Sequence, residues 1–195
     1  MRMKIRKCLL LLFAISGLVA AQSIGYGNTG PGAWGTGEIY GYGGTRDGNN
    51  GTVGAGAGLL FAKYGAFFLD MGYTSLGTGS VRTLGQPLHQ SRLYDFALLG
   101  HVRIPVKQKF EPYLIVGGGA FYNTFQIATP PANPGVNPLT YVGSSTTNFA
   151  FHTGAGLRYF IHSDWGIRPE LKVSISGQTY VGFTIGFFYQ IPSDY

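Results

Sequence analysis

The feature that most constrains this chain is a strict two-residue alternation on both arms of residues 149–175, with every charge on one parity. In the first arm Phe149, Phe151, Thr153, Ala155, Leu157 and Tyr159 share one face, and Ala150, His152, Gly154, Gly156 and Arg158 share the other. After a polar turn, Ile167, Pro169, Leu171, Val173 and Ile175 oppose Arg168, Glu170, Lys172 and Ser174. Successive side chains of a strand point to opposite faces, so this period specifies a β-hairpin. Each arm is about ten residues long, enough for a tilted strand to cross a bilayer. Two architectures use such a hairpin. A soluble sandwich buries the apolar face, whereas a membrane barrel turns it to lipid and encloses the charged one.

The same alternation recurs along the chain. Strands are expected at 33–43, 53–62, 66–74, 93–104, 113–125, 149–160, 167–175 and 179–191. Between them lie Gly/Pro-rich loops at 45–52, 75–91 and 126–147, turns at 63–65, 105–112 and 161–166, and a very short connection at 176–178. The two longer loops, taken as 76–91 and 126–147, are the expected contact surface for an extracellular ligand. Glycine occupies so much of 33–43 that its inner and outer faces stay ambiguous. On the apolar parity of the other seven strands there is no Asp, Glu, Lys or Arg. Lipid enforces that absence, because Arg or Lys near the midplane costs about 2–4 kcal/mol. The charged parity is rich in glycine, which suits the narrow bore of a small barrel better than a watered sheet surface. Charged residues are 11% of the chain, against about 25% in soluble domains. The expected fold is therefore all-β: an eight-stranded antiparallel up-and-down transmembrane β-barrel.

Residues 1–21 read as a secretory signal peptide: a basic start, a 14-residue apolar run from Cys8, and small residues before a cut after Ala21. Four of the 14 basic residues lie there, so the mature chain carries ten basic against eight acidic residues, a net charge of +2. That removes support for a nucleic-acid partner. Cys8 is the only cysteine, so the mature chain has no disulfide and no thiolate chemistry. Residues 22–32 are read as an irregular lead-in of the kind that frays, and 33–195 as the barrel domain. An even strand count puts both termini on one side, which for a secreted chain is the periplasm.

Within the strands Asp70, Asp95, Arg103, Arg158, Arg168, Glu170 and Lys172 fall on the inner parity and form a candidate lumen ion-pair network. Glu170 is expected to sit between Arg158 and Arg168, and to matter more than Glu111, which is placed in a turn. His101 and His152 are the lumen histidines; no ligand spacing accompanies them, so neither a metal site nor a cofactor is expected. His162 and Ser163 fall in a turn. Gly117, Gly118 and Gly119 lie mid-strand with no following helix, so they mark close backbone approach or a bulge rather than a phosphate loop.

Phe110-Glu111-Pro112-Tyr113 leading into Gly117-Gly118-Gly119, then 154–160 with Trp165-Gly166-Ile167-Arg168-Pro169-Glu170, resembles the outer-membrane protein β-barrel family, with relatives of OmpA, OmpX and OmpW type. The resemblance covers about Trp34 to Tyr189. The ending Gly186-Phe187-Phe188-Tyr189 is similar to the closing signal read by the barrel assembly machinery. The resemblance implies residence in the outer membrane, contact with its lipid and lipopolysaccharide, and a monomer. The expected role is structural or surface-interacting, with a filled lumen. A narrow porin-like channel is the alternative, and a lipid A-modifying enzyme a remote one. No enzymatic role is expected, since no His-x-Ser-Asn run occurs.

Overall fold

The structure is a computed structural model that describes residues 29–77, 82–83, 86–106, 109–129 and 140–191. The expected signal peptide and most of the lead-in lie outside the described residues. Eight strands build the wall: β1 (Thr36–Arg46), β2 (Asn50–Ala62), β3 (Gly65–Gly77), β4 (Gln86–Arg103), β5 (Phe110–Thr129), β6 (Thr140–Phe160), β7 (Trp165–Ser176) and β8 (Gln178–Ile191). Each pairs antiparallel with its sequence neighbours, and β1 pairs with β8 from Gly37↔Ile191 to Arg46↔Gly182, which closes the ring. Closure leaves no unpaired sheet edge, the condition for a β-structure to stand in lipid. A two-residue ladder, Arg82–Thr83 against Gln86 and Pro87, extends the β4 side above the wall.

All eight expected strands form, β2 to β8 with the predicted parity. The ambiguity of the first strand resolves with even residues inward: Thr36, Glu38, Tyr40 and Arg46 are buried, while Ile39 is exposed. The outward face is a continuous apolar surface carrying Phe149, Phe187, Val53, Phe67, Leu98 and Ile185 in the open. An uncovered apolar surface of this extent belongs against a non-aqueous partner. Nine residue steps from Tyr64 to Tyr73 along β3, at about 3.3 Å each and a tilt near 40°, span roughly 23 Å, the height of a barrel's lipid band.

The boundaries differ from expectation. β4 begins at Gln86, β5 runs from Phe110 to Thr129 and β6 starts at Thr140. Much of the expected loops 75–91 and 126–147 is therefore strand, and Pro112 stands in the wall opposite Leu157. Arg46, expected in a loop, ends β1, and Glu111, expected in a turn, lies in β5. The wall rises asymmetrically: the β5–β6 ladder continues to Thr129↔Thr140, whereas β7 and β8 are joined across Gly177 alone, whose φ of 64° suits glycine. One end of the barrel, the loop end, carries the β1–β2, β3–β4, β5–β6 and β7–β8 connections. The other, the terminus end, carries Thr36, Ile191 and the remaining turns.

The Gly117–Gly119 run is close approach, not a bulge. Its register with Leu99, Leu98 and Ala97 is unbroken, and a Cβ at Gly119 would meet the Ala97 Cα at 2.8 Å. The wall is bulged elsewhere, between Leu59 and Ala62 in β2.

Candidate functional site in the barrel interior

Among the described residues, ten charged side chains are buried inside the barrel: Glu38, Asp70, Asp95, Glu111 and Glu170 against Arg46, Arg103, Arg158, Arg168 and Lys172. Five of each sign make a neutral interior. They divide into two groups by height, because strand register fixes the level at which each inward position stands.

At the terminus end three glutamates meet three arginines. Arg103 donates from Nε and Nη2 to both oxygens of Glu111 at 2.8 Å, a bidentate pair. Arg158 donates to Glu111 at 3.1 Å and to Glu38, also at 3.1 Å. Arg168 donates to Glu170 at 2.8 Å and reaches Glu38 at 3.4 Å. The carboxylate between Arg158 and Arg168 is thus Glu38, not Glu170 as expected. Glu170 instead joins Arg168 to the Tyr113 hydroxyl, which donates to it at 3.0 Å. Glu111 is fully buried and is a hub of the network, within β5 rather than in the expected turn. Rings fill the space between these groups. The Arg168 guanidinium lies 3.8 Å from the Tyr40 ring centre and that of Arg158 4.6 Å from Tyr113, each a cation–π contact. His101 is sandwiched against Phe68 and Tyr113, with centroids 4.5 and 4.7 Å apart.

The lead-in closes this end. Gly30 N–H donates to Gln190 at 2.8 Å, Gly32 N–H donates to Glu111 at 2.7 Å, and the Ala33 carbonyl accepts from Arg103 at 2.7 Å. The described part of the lead-in, 29–32, is irregular as expected but tied down rather than frayed, and it continues through 33–35, which were expected to open the first strand; the segment satisfies lumen charges that would otherwise face the open mouth.

At the loop end two aspartates meet two cations. Lys172 Nζ stands 3.1 Å from Asp70 and 3.8 Å from Asp95, and Arg46 donates to Asp95 at 3.0 Å. Tyr42 adds a hydroxyl to Asp70 at 2.9 Å. Beside them His152 Nδ1 and Ser174 Oγ are 2.9 Å apart, and His152 Nε2 is 3.5 Å from Asp95 Oδ1. These are the residue types of a nucleophile–base–acid set, but Asp95 also serves two cations and the hydroxyl is sealed from solvent. Above them Leu76, Leu93, Phe121, Ala150 and Tyr180 form an apolar cluster, with the Arg46 guanidinium 5.2 Å from Phe121. Among the described residues at this end, four buried atoms lack hydrogen-bond partners: Arg46 Nη1, Asp95 Oδ1, His152 Nε2 and Ser176 Oγ.

Every expected lumen residue is inside, and His101 and His152 are both buried. His162 and Ser163 lie exposed in the turn after β6, where His162 contacts Asp164 at 2.7 Å. No group of three metal-ligating side chains stands together among the described residues. Sequence reasoning missed Glu38, Arg46 and Glu111. The signal available was arithmetic: with the seven expected charges alone the interior would hold four cations against three anions, so acidic partners had to come from elsewhere.

A family model described as the outer membrane protein beta-barrel domain matches residues 8–190. The chain belongs to that family. The match covers all eight strands except the last residue of β8 and implies residence in an outer membrane. Among solved structures the barrel is similar to the N-terminal β-barrel domain of Pseudomonas aeruginosa OprF, at 14% identity and a TM-score of 0.51, covering 80% of this chain and 97% of that one. It is similar to Ail, the attachment invasion locus protein of Yersinia pestis, at 15% identity and a TM-score of 0.53, with 80% and 97% covered. A major outer membrane protein from Thermus thermophilus gives 11% identity and a TM-score of 0.60, with 80% and 99% covered. At these identities the likeness is one of fold. No curated protein sequence matches. A depression of about 920 Å³ lies over the wall rather than in the lumen, where Gly41, Ala55 and Ala57 sit low between Leu69, Phe96 and Phe187.

Proposed function

We propose that this protein is a closed, non-conducting barrel whose role is structural or surface-interacting, with its loop end facing outward and its termini in the periplasm. The observation that carries the reading is the filled interior: five acidic and five basic side chains pair across the bore, rings occupy the gaps and residues 29–35 cover one mouth. An eight-stranded barrel is just wide enough for side chains to fill, and a charge-neutral filling leaves no net field to draw ions through. The orientation is supported by the signal-peptide pattern at 1–21 and by tall, polar strand extensions at the loop end, since barrels of this kind have short periplasmic turns and longer outer parts. Assembly machinery that reads the closing aromatic strand, residence as a monomer and the absence of a catalytic step belong to the same reading. The test is liposome swelling with small sugars. Vesicles carrying the refolded protein should swell no faster than protein-free ones, and swelling at a porin's rate would contradict the reading in favour of a narrow pore.

A further inference from the structure

The outward face ends in a defined row at the loop end. Register places Tyr73, Tyr94 and Tyr122 side by side on β3, β4 and β5, with ring centroids 5.4 and 6.1 Å apart. The next outward rows into the wall, Met71, Phe96 and Ala120, then Leu69, Leu98 and Gly118, carry no polar side chain. One row beyond the tyrosines, Ser75, Arg92, Thr124 and Ser145 stand in line across β3 to β6. Arg92 is exposed, and it is the one charged outward side chain on the eight strands among residues whose side chains are described. It forms no ion pair among the described residues. Together with Tyr122, Thr124, Gln126, Gly143 and Ser145 it lines a depression of about 340 Å³ on the outer flank.

The tyrosine row marks the level where acyl chains give way to headgroups, because amphipathic rings collect at that interface. A cation one row deeper would be expelled by lipid; at this row it meets whatever charge the leaflet's headgroups carry. A guanidinium offers a planar fork to phosphate, and the Thr124 and Ser145 hydroxyls with the Gln126 amide offer the mixed donors and acceptors that sugar hydroxyls need. The described outward residues at the same end of β7 and β8, Ile175 and Thr179, carry no charge. We infer that the β4–β6 flank holds the headgroup of a phosphorylated glycolipid in the leaflet at the loop end, with its acyl chains running down the apolar wall below the tyrosines. Membrane lipid fits the site better than a soluble anion, because the depression opens sideways above the lipid band rather than at the mouth of the barrel. Placing that lipid in the outer leaflet rests on the orientation proposed above.

The test is binding of bisphosphorylated lipid A to the refolded protein in zwitterionic detergent micelles, followed by native mass spectrometry. Arg92→Ala should weaken binding about tenfold, the loss of one charge-assisted contact, and Arg92→Lys should recover part of it. Lys63→Ala, in the β2–β3 turn at the other end, should leave binding unchanged, and dephosphorylated lipid should bind wild type as weakly as intact lipid binds Arg92→Ala. Equal affinity of wild type and Arg92→Ala overturns the proposal, as does inorganic phosphate competing at the lipid's own concentration, which would make the site one for soluble anions. A change of oligomeric state in Arg92→Ala without a change in lipid binding overturns it in favour of a contact between copies. Arg92-dependent binding together with an Asn50→Cys variant that stays unreactive in intact cells upholds the site and overturns the orientation instead.

Discussion

The two halves of the lumen are both electrically neutral yet differently connected. At the terminus end each of Arg103, Arg158 and Arg168 has two or more acceptors, and the buried side-chain atoms without a hydrogen bond among the described residues, Thr36 Oγ1, Tyr40 Oη and His101 Nε2, belong to none of the carboxylates or guanidiniums. At the loop end Arg46 has a single hydrogen bond among them, and Arg46 Nη1 and Asp95 Oδ1 are buried without a hydrogen bond, although His152 Nε2 stands 3.5 Å from Asp95 Oδ1. Buried orphan atoms in a polar site are where ordered water resides. Balance of charge is therefore not what locks the barrel. Connectivity is, and arginine supplies it because its fork serves several carboxylates at once.

Arg158→Ala should have the largest effect. It strips Glu38 and Glu111 of a shared cation in a fully buried site, a loss of about 3–5 kcal/mol, read from urea unfolding in phospholipid vesicles. Glu111→Ala should follow closely, because it abandons Arg103, Arg158 and the Gly32 N–H together, and it should exceed Glu170→Ala, which loses Arg168 and Tyr113. The reverse order would break the assignment of the hub.

The loop half should respond less. Lys172→Ala leaves Asp70 with the Tyr42 hydroxyl and Asp95 with Arg46, so the expected loss is about 1.5–3 kcal/mol, the range for a hydrogen bond to a charged group. A loss equal to that of Arg158→Ala would erase the difference between the halves. Ser174→Ala should be the smallest, about 1 kcal/mol, since it removes one neutral hydrogen bond to His152.

The parity of the wall was legible in the sequence because lipid tolerates no charge on its side, so seven strands carried an unbroken apolar face. The first strand was not, because its outward positions Gly37, Gly41 and Gly43 give lipid nothing to mark. Strand ends were hidden for a related reason: beyond the tyrosine row the outward positions turn polar, as at Ser75 and Ser145, so the alternation loses its contrast and those residues read as loop. Arg46 was masked by the Asp47-Gly48 turn beside it, and Glu111 by Pro112, which stands in the wall although it has no N–H to donate. The pairing pattern was legible only as a set of charges facing one bore. Which carboxylate met which guanidinium depended on register, and alternation alone does not encode it.

The most direct test of the closed lumen is a planar-bilayer current trace of the refolded wild-type protein under an applied potential. A filled, two-layer interior predicts a flat baseline with no steady channel. A stable, ion-selective open level in wild type would contradict it, because the ten paired charges and the covering lead-in would then fail to block the bore.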